Sequence, residues 1–228
     1  MTILAETPQW LAVNKPAGLV VERDRHGYPS VEEEALDYLR KQSKREPFVG
    51  IVHRLDRPVS GVLLLAKKKS ALKDLNEQFR QRQVKKVYWA AVDQRPPKDQ
   101  DLLEGWIQKD ASGKKAVFTT KAAKGAFPCS LNYRLLASSK DRYLLEIIPH
   151  TGKFHQIRVQ LAAIGCPIIG DSTYGSTVDY APNAIALHAA QLTFFDTQHS
   201  TSNIQHQTSI KAPAPDLPVW HFENITQP

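Results

Sequence analysis

HRLDRPVSGVLLLAK, residues His53–Lys67, joins a charged loop to a continuous apolar run. The run from Gly61 to Lys67 is short and apolar, which is typical of a strand that is buried on both faces. The loop before it carries four ionisable residues beside the expected core, where charge is costly, so the loop is a candidate functional site. The simpler alternative is a surface turn in which Arg54 and Asp56 pair with each other.

Short strand patterns and three helical patterns make up the rest of the chain. Strands are expected at residues 10–15, 61–67, 84–92, 102–108, 115–120, 131–137, 143–149, 187–195 and 204–211. Helices are expected at residues 30–41, from Ser70 onward, and at 154–164. Because strands and helices do not alternate regularly, the pattern favours an α+β fold with a mostly antiparallel sheet.

Local signals mark where these helices begin and end. Ser30, followed three residues later by Glu33, forms a capping box for the first helix. Ser70 is expected to cap the second helix, whose apolar residues share one face. Gly165, followed by Pro167, is expected to end the third helix.

The composition is that of a basic globular protein. The 228 residues fit one large domain or two small ones, and they carry a net charge of +7 with a sequence pI of about 9.4. A basic balance is compatible with a polyanionic partner but does not identify one. Residues 95–124 form a basic excursion that is either a solvated hairpin or a nucleic-acid contact.

Neither the cysteines nor the apolar segments indicate export or membrane insertion. Cys129 and Cys166 lie far apart in apolar surroundings and lack Cys-x-x-Cys spacing, which favours a reduced, cytoplasmic protein. No apolar stretch reaches the roughly 18 residues that a transmembrane helix needs. Residues 1–10 lack the basic segment and apolar run of a secretory signal.

Two further segments carry residues suited to chemistry. In PHTGKFHQIR (149–158), His155 and Arg158 are expected to share a helical face, and the guanidinium could meet a carboxylate on another element. The alternative is that His155 and Gln156 satisfy local backbone groups. In KVYWA (86–90), Tyr88 could stack on a base, although a core tyrosine is the commoner outcome.

Taken together and in this order, the motifs resemble the RluA-type pseudouridine synthase family. The resemblance runs from about Trp10 to Pro213 and rests on NKPAG (14–18), HRLDRPVSG (53–61), KVYWAAV (86–92), PHTGKFHQIRVQLAAIGCPIIGDSTYG (149–175) and LHAAQLTF (187–194). It implies a single catalytic domain over residues 1–228, with its core at about 10–213. The implied fold is a curved, mainly antiparallel mixed sheet with a few flanking helices and a central RNA-binding cleft.

The resemblance also implies an activity and assigns roles to residues. Members isomerise uridine in RNA to pseudouridine without a cofactor or a metal ion. Asp56 matches the essential aspartate, Tyr88 the tyrosine that stacks on the target base, and Arg158 the arginine that pairs with the aspartate. Five further residues are expected to contact the RNA: His53, Arg54, Lys153, His155 and Leu187. Among them, the arginine would enter the RNA helix beside the flipped nucleotide, and the leucine would lie against the base.

The implied partner is structured RNA, namely a stem-loop of ribosomal or transfer RNA. No S4-like RNA-binding domain, which many relatives carry, is expected before Trp10, so target recognition is expected to come from the catalytic domain itself. A cytoplasmic monomer, without an obligate protein partner or a membrane contact, is expected.

The sequence departs from the family pattern at a few positions. Val59 replaces the usual threonine, and Lys153-Phe154 stands where arginine and then threonine or serine are usual. Gln160 and Cys166 replace frequent histidines. None of these changes falls on the aspartate, tyrosine or arginine positions, so they bear on RNA contacts and substrate identity more than on activity.

The chemistry suits a carboxylate, and two routes are open. An ionised Asp56 could attack the sugar C1′, as glycosidase nucleophiles do, or it could remove a proton from C2′ to give a glycal. The target base cannot react within a stacked helix, so base flipping is expected.

Three other functions are compatible with parts of the sequence. A non-catalytic RNA-binding or ribosome-assembly factor would keep the basic surface but would not need Asp56. A glycosidase or nucleosidase would need a second carboxylate, for which Asp171 is the obvious candidate, although its position in GDSTYG is equally compatible with a structural role. A metalloenzyme could use His53, His150 and His155, although their spacing matches no recognised metal site.

Overall fold

The computed structural model describes residues 1–23, 27–196 and 206–222, which fall into two compact units. Within the described residues, the first unit comprises 1–86 and 189–213, and the second comprises 87–188 and 214–222. The sequence predicts that residues 1–228 form a single catalytic domain, and this stays a prediction.

Eleven strands and three α-helices lie in the described part of the chain. The strands are β1 (Thr2–Glu6), β2 (Trp10–Lys15), β3 (Gly50–Ile51), β4 (Ser60–Ala66), β5 (Lys85–Val92), β6 (Gln100–Lys109), β7 (Ala116–Thr119), β8 (Phe127–Ser139), β9 (Arg142–Pro149), β10 (Leu187–Asp196) and β11 (His206–Lys211). The helices are α1 (Val31–Arg40), α2 (Lys69–Arg80) and α3 (Gln156–Ala163). This content confirms the α+β class.

The expected strands are present, and two more occur. β1 and β3 were not expected, because β1 is a short segment of mixed polarity and β3 has only two residues. The last expected strand is observed from His206, and its predicted start at Ile204 lies outside the described residues. No helix among the described residues is long and apolar enough to cross a membrane.

The first unit is built on β1, β2, β4 and β10, which are neighbours in that order, with β3 beside β4 and β11 beside β10. β4 is buried along its whole length, which confirms the buried strand expected there. The rings of Trp10 and Phe194 meet edge to face in this core, with centroids 5.4 Å apart. α2 adds Ala71 and Leu75 to the same cluster, and each large side chain buried there stabilises the fold by roughly 1.5–3 kcal/mol.

The predicted start of α1 is confirmed, whereas the predicted start of α2 is wrong. Ser30 caps α1 as expected, because its hydroxyl accepts the N–H of Glu33 at 3.2 Å. The expected cap at Ser70 is wrong: α2 begins at Lys69, and Lys68 holds the capping position with no side-chain hydrogen bond. The chain turns into the helix straight after β4, so Ser70 already lies inside the first turn.

The second unit is an antiparallel sheet in the order β5, β9, β8, β6, β7, with α3 packed against it. A small core of Ile107, Ala116, Cys129 and Val159 joins the helix to β6, β7 and β8. Most of the basic excursion, residues 95–124, forms the β6–β7 hairpin.

α3 is shorter than the sequence pattern suggests. A turn in which Gln156 N–H donates to the Lys153 carbonyl at 3.1 Å precedes it, and His155 adopts a left-handed conformation with φ of +53°. The expectation that His155 and Arg158 share a helical face is therefore wrong, since His155 lies outside the helix. The predicted end is confirmed: Gly165 follows the last turn with φ of +77°.

Candidate active site

The loop that carries Asp56 runs from Val52 to the start of β4 and is held by its apolar residues. Leu55 and Val59 are buried, whereas Asp56 is partly exposed and Arg54 is exposed. The Val59 N–H donates to the Asp56 carbonyl at 3.0 Å, which closes a turn at the aspartate. Because Val59 is 2% exposed, a methyl in place of the family's hydroxyl leaves no buried polar atom to satisfy.

Gly61 fixes the point at which this loop enters β4. Its φ is +115°, and an added Cβ would lie 2.3 Å from the carbonyl oxygen of Ala189 on β10. Only glycine combines this backbone conformation with such a close approach. The loop is therefore positioned by backbone packing at its end.

A fully buried lysine, Lys15, braces the same loop from the end of β2, where it pairs with Gly61. Its ammonium donates to the carbonyl oxygens of Pro16 (3.0 Å), Leu19 (2.7 Å) and Arg57 (3.1 Å). Three donors meet three acceptors, so the desolvated ammonium is fully hydrogen-bonded. The lysine thus ties the turn after β2 to the candidate catalytic loop.

The charge of Lys15 is coupled to that of the loop. Burial lowers the pKa of Lys15 to about 7, the negative charge of Asp56 opposes this shift, and the charge of Arg57 adds to it. A second tie reinforces the first, since the Gly18 N–H donates to the Arg57 carbonyl (2.8 Å) and Arg57 Nε donates back to the Gly18 carbonyl (3.0 Å). Lys15 is not among the residues predicted from the sequence, although a lysine that ends the apolar strand pattern WLAVNK was a usable signal.

His53 is held against the core of the first unit. Its Nε2 accepts the N–H of Leu64 at 3.0 Å, and its ring stacks on Phe79 with centroids 4.9 Å apart. Burial lowers the pKa of His53 to about 3, and the charge of Lys86 adds to the shift. The imidazole is therefore neutral at physiological pH and braces the start of the loop, while its RNA contact stays a prediction.

In the second unit, a buried carboxylate holds Arg158 of α3. Nε and Nη2 of Arg158 donate to the two carboxylate oxygens of Asp171 at 2.6 and 2.8 Å. The two side chains are only 6% and 1% exposed, and the guanidinium carbon lies 5.0 Å from the centroid of the Tyr174 ring. This bidentate pair with Asp171 was not predicted from the sequence. The pairing of Arg158 with Asp56 stays a prediction.

The contacts of Asp171 indicate a structural role for it. Its carbonyl accepts the N–H of Tyr174 at 3.0 Å, at the start of a short 3₁₀ turn over Ser172–Tyr174. A carboxylate that is almost inaccessible and binds a guanidinium with both oxygens is not placed to protonate a leaving group. This geometry disfavours the nucleosidase alternative, which required Asp171 as its acid.

Tyr88 and Leu187, both predicted to contact the target base, are residues of the second unit. Tyr88 pairs with Ile147 across β5 and β9 and is half-buried, whereas its neighbours Val87 and Trp89 are buried. Tyr88 therefore projects from the face of β5 opposite these two side chains. Leu187, the first residue of β10, is 3% exposed. Their contacts with a base stay predictions.

The turn before α3 is organised by the buried side chain of Gln156. Its Oε1 accepts the Lys153 N–H (3.0 Å) and the Thr151 hydroxyl (2.8 Å), and its Nε2 donates to the Ser130 carbonyl (3.1 Å). The alternative that Gln156 satisfies local groups is therefore confirmed. This network fixes the position of Lys153, whose RNA contact stays a prediction.

Each histidine considered for a metal site has another hydrogen-bond partner. His53 accepts a backbone N–H, Nε2 of His150 bonds with Asn132 Oδ1, and Nδ1 of His155 bonds with the Tyr174 hydroxyl at 2.9 Å. Within residues 1–23, 27–196 and 206–222, no group of three or more histidine, cysteine, aspartate or glutamate side chains is arranged to hold a metal ion. These contacts give the metalloenzyme alternative no support.

Two departures from the family pattern lie in the interior. Gln160 is fully buried and its Nε2 donates to the Leu103 carbonyl at 3.0 Å. Cys166 is also fully buried, and burial raises the pKa of its thiol to about 11. Both substitutions therefore affect packing rather than a surface that meets RNA.

Comparison with known proteins identifies the family. The RNA pseudouridylate synthase family matches residues 9–163. An uncharacterised RNA pseudouridine synthase of Zymomonas mobilis is 39% identical over 183 residues, which cover 80% of this chain and 82% of that protein. The ribosomal large subunit pseudouridine synthase C of Buchnera aphidicola is 33% identical over 220 residues, which cover 92% of this chain and 66% of that protein.

Solved structures agree with the sequence relatives. Human RNA pseudouridylate synthase domain containing 4 matches with a TM-score of 0.74 and 26% identity, covering 94% of this chain and 89% of the human chain. The chain spans 66% of the Buchnera aphidicola protein and 56% of the synthase C of Rickettsia bellii. The resemblance to RluA-type enzymes is confirmed, and the chain belongs to the RNA pseudouridylate synthase family, whose members are isomerases that act on RNA.

Proposed function

We propose that this chain converts a uridine of ribosomal RNA to pseudouridine, with Asp56 as the catalytic carboxylate and without a cofactor. The observation that carries the proposal is the bracing of the Asp56 loop by the buried ammonium of Lys15. A carboxylate held partly exposed on a rigid, charge-coupled loop is arranged for chemistry on a bound substrate. Family membership supplies the reaction class, and relatives named ribosomal large subunit pseudouridine synthase C point to ribosomal RNA.

The reaction exchanges one bond of the uracil for another. The bond between N1 and the ribose C1′ breaks, the uracil turns within the site, and a bond between C5 and C1′ forms. The C5 proton is lost to a base, and N1 gains a proton, so the product is an isomer of the substrate. Asp56 would act either as the nucleophile on C1′ or as the base that takes a proton from C2′.

Flipping of the target nucleotide out of its stack would give Asp56 access to the sugar. Tyr88 would offer its ring to the flipped base, and Leu187 would line the apolar side of the base pocket. Arg54, which is exposed on the catalytic loop, would fill the space that the nucleotide leaves. The net charge of +7 would favour the phosphates of a stem-loop, so binding should weaken as salt rises.

We also propose an RNA substrate, an oligomeric state and a cellular compartment for this reaction. The substrate is a stem-loop of ribosomal RNA, with transfer RNA as the alternative that the family resemblance leaves open. The enzyme acts as a monomer in the cytoplasm, without an obligate protein partner.

Pseudouridine mapping across total RNA, from cells with and without the gene, tests the proposal. We expect one site or a few sites in ribosomal RNA to lose pseudouridine in the deletion strain. The wild-type gene should restore them, whereas Asp56→Asn should not, because the amide is neither a nucleophile nor a base. Asp74→Asn, which changes an exposed aspartate on α2, is the matched control and should restore them fully.

Three outcomes would contradict the proposal. Restoration by Asp56→Asn would remove the aspartate from the chemistry. A deletion strain with an unchanged pseudouridine map would remove the activity. Release of free uracil by the purified protein would favour a nucleosidase.

A further inference from the structure

A groove of about 580 Å³ opens in the second unit beside the β6–β7 hairpin. Two phenylalanines and two lysines are among its lining residues, namely Lys109, Phe127, Lys153 and Phe154. We propose that this surface, called here the Phe groove, binds an unstacked base of the substrate RNA other than the target base, with its two lysines on the neighbouring phosphates. The inference rests on the proposed function, because it takes the substrate to be RNA.

The first support is the combination of exposed aromatic rings and positive charge. Phe127 is 58% exposed and Phe154 is 39% exposed, although large apolar side chains are usually buried. Two lysines and no acidic residue line the same groove. Aromatic faces beside a positively charged groove are the combination that single-stranded nucleic acid requires.

The second support is that one face of the Phe154 ring is packed against a neighbouring side chain. Its ring stacks on His155 with centroids 3.7 Å apart and an interplanar angle of 20°. Nδ1 of His155 bonds with the Tyr174 hydroxyl at 2.9 Å, and that hydroxyl accepts the N–H of Ala116 at 2.7 Å. This chain of contacts fixes one face of the phenyl ring. A preformed ring loses little conformational entropy when a base stacks on it.

The third support is the position of the lysines. Nζ of Lys109 lies 4.9 Å from the centroid of Phe154, and Nζ of Lys153 lies 4.9 Å from the centroid of Phe127. An exposed cation–π contact is weaker than the stacking of a base on an aromatic ring. A base can therefore replace an ammonium on the ring face, and the displaced ammonium can neutralise a phosphate of the same nucleotide.

The shape of the ligand follows from these contacts. The bases of a duplex are already stacked on each other, so they would have to separate before they could cover a phenyl ring. An acidic peptide could pair with the lysines but would offer no flat face to the rings. An unpaired nucleotide supplies both features, and any base has a suitable face. The groove should therefore be tolerant of sequence.

Fluorescence binding of a ten-nucleotide single-stranded RNA that carries 2-aminopurine at its centre tests the proposal on the full chain. We expect quenching on binding, because the reporter base stacks. Phe154→Ala and Phe127→Ala should each weaken binding about tenfold, or about 1.4 kcal/mol, whereas Phe154→Trp should keep it. Val117→Ala, which shortens an exposed side chain of the same hairpin that does not line the groove, should have no effect.

Annealing the complementary strand to the oligonucleotide provides a second test. The duplex should bind with an affinity that does not depend on Phe154. Lys109→Gln should reduce the slope of log affinity against log salt by about one, while Lys140→Gln, in the β8–β9 turn, should leave the slope unchanged.

Equal binding by Phe154→Ala, Phe127→Ala and Val117→Ala would overturn the proposal. A ten-residue glutamate peptide that binds with the same dependence on the two rings would overturn it in favour of an acidic protein partner. A wild-type protein that forms no pseudouridine in any RNA would contradict the proposed function. An active wild type whose alanine variants keep its KM for RNA would contradict only the proposed role of the Phe groove.

Discussion

The two units of the protein use lysine in opposite ways. In the first unit, Lys15 is fully buried and its ammonium donates to three backbone carbonyls around the Asp56 loop. In the second unit, Lys109 and Lys153 lie over phenyl rings in an accessible groove. The first arrangement fixes backbone, and the second leaves the ammonium groups available to a ligand.

Desolvation accounts for the difference. A buried cation must be compensated by the protein itself, so its removal leaves buried acceptors without a donor. A surface cation is compensated by water and exchanges partners at little cost. The arginines of the second unit repeat the contrast, since Arg158 binds buried Asp171 whereas Arg134 meets Glu146 with its side chain 58% exposed. The following variants test whether burial decides the role of each cation.

The largest effect on stability is expected from Arg158→Ala. Asp171 would remain as a buried carboxylate without its bidentate partner, so the free energy of unfolding should fall by about 3–5 kcal/mol. Arg158→Lys should lose less, because it keeps the charge but not the two-pronged geometry. Urea denaturation measures both. Arg134→Ala is the matched control and should cost less than about 1 kcal/mol. Equal losses in the two alanine variants would show that burial of the ion pair is unimportant.

A smaller effect is expected from Lys15→Met, which keeps the length of the side chain but removes its donors. The carbonyls of Pro16, Leu19 and Arg57 would lose a buried partner, so the free energy of unfolding should fall by about 2–4 kcal/mol. The same change at Lys109, which is exposed, should stay within about 0.5 kcal/mol. If Lys15→Met is as stable as Lys109→Met in urea, the bracing of the Asp56 loop by Lys15 is wrong.

The smallest expected change, counted for one pH unit, is the dependence of the free energy of unfolding on pH. Burial lowers the pKa of Lys15 in the folded protein to about 7 from an ordinary value of 10.5. Between these values the unfolded chain binds more protons than the folded one, so the free energy of unfolding should rise with pH by up to about 1.4 kcal/mol per unit. Below pH 7 this contribution is constant.

Denaturant unfolding of the wild type and of Lys15→Met between pH 6 and pH 9 isolates this contribution. The difference in stability between the two proteins should widen above pH 7, since only the wild type carries the titrating group. A difference that stays the same across this range would contradict the lowered pKa of Lys15.

Elements that depend on neighbouring residues were predictable from the sequence. The apolar run of β4, the cap at Ser30 and the helix end at Gly165 all match, because each depends on local periodicity or on a backbone preference. The order of the motifs was also sufficient to identify the family. The cap at Ser70 failed because the connection from β4, rather than the hydroxyl, sets where α2 begins.

The partners of the charged residues could be found only in the folded protein. Arg158 meets Asp171 across 13 residues of chain, and Lys15 meets the Arg57 carbonyl across 42. No local pattern encodes such contacts, because they depend on which faces of distant elements come together. Side-chain chemistry and local periodicity are properties of the sequence. Burial, and with it the charge state and role of each cation, arises when the chain packs and water is excluded.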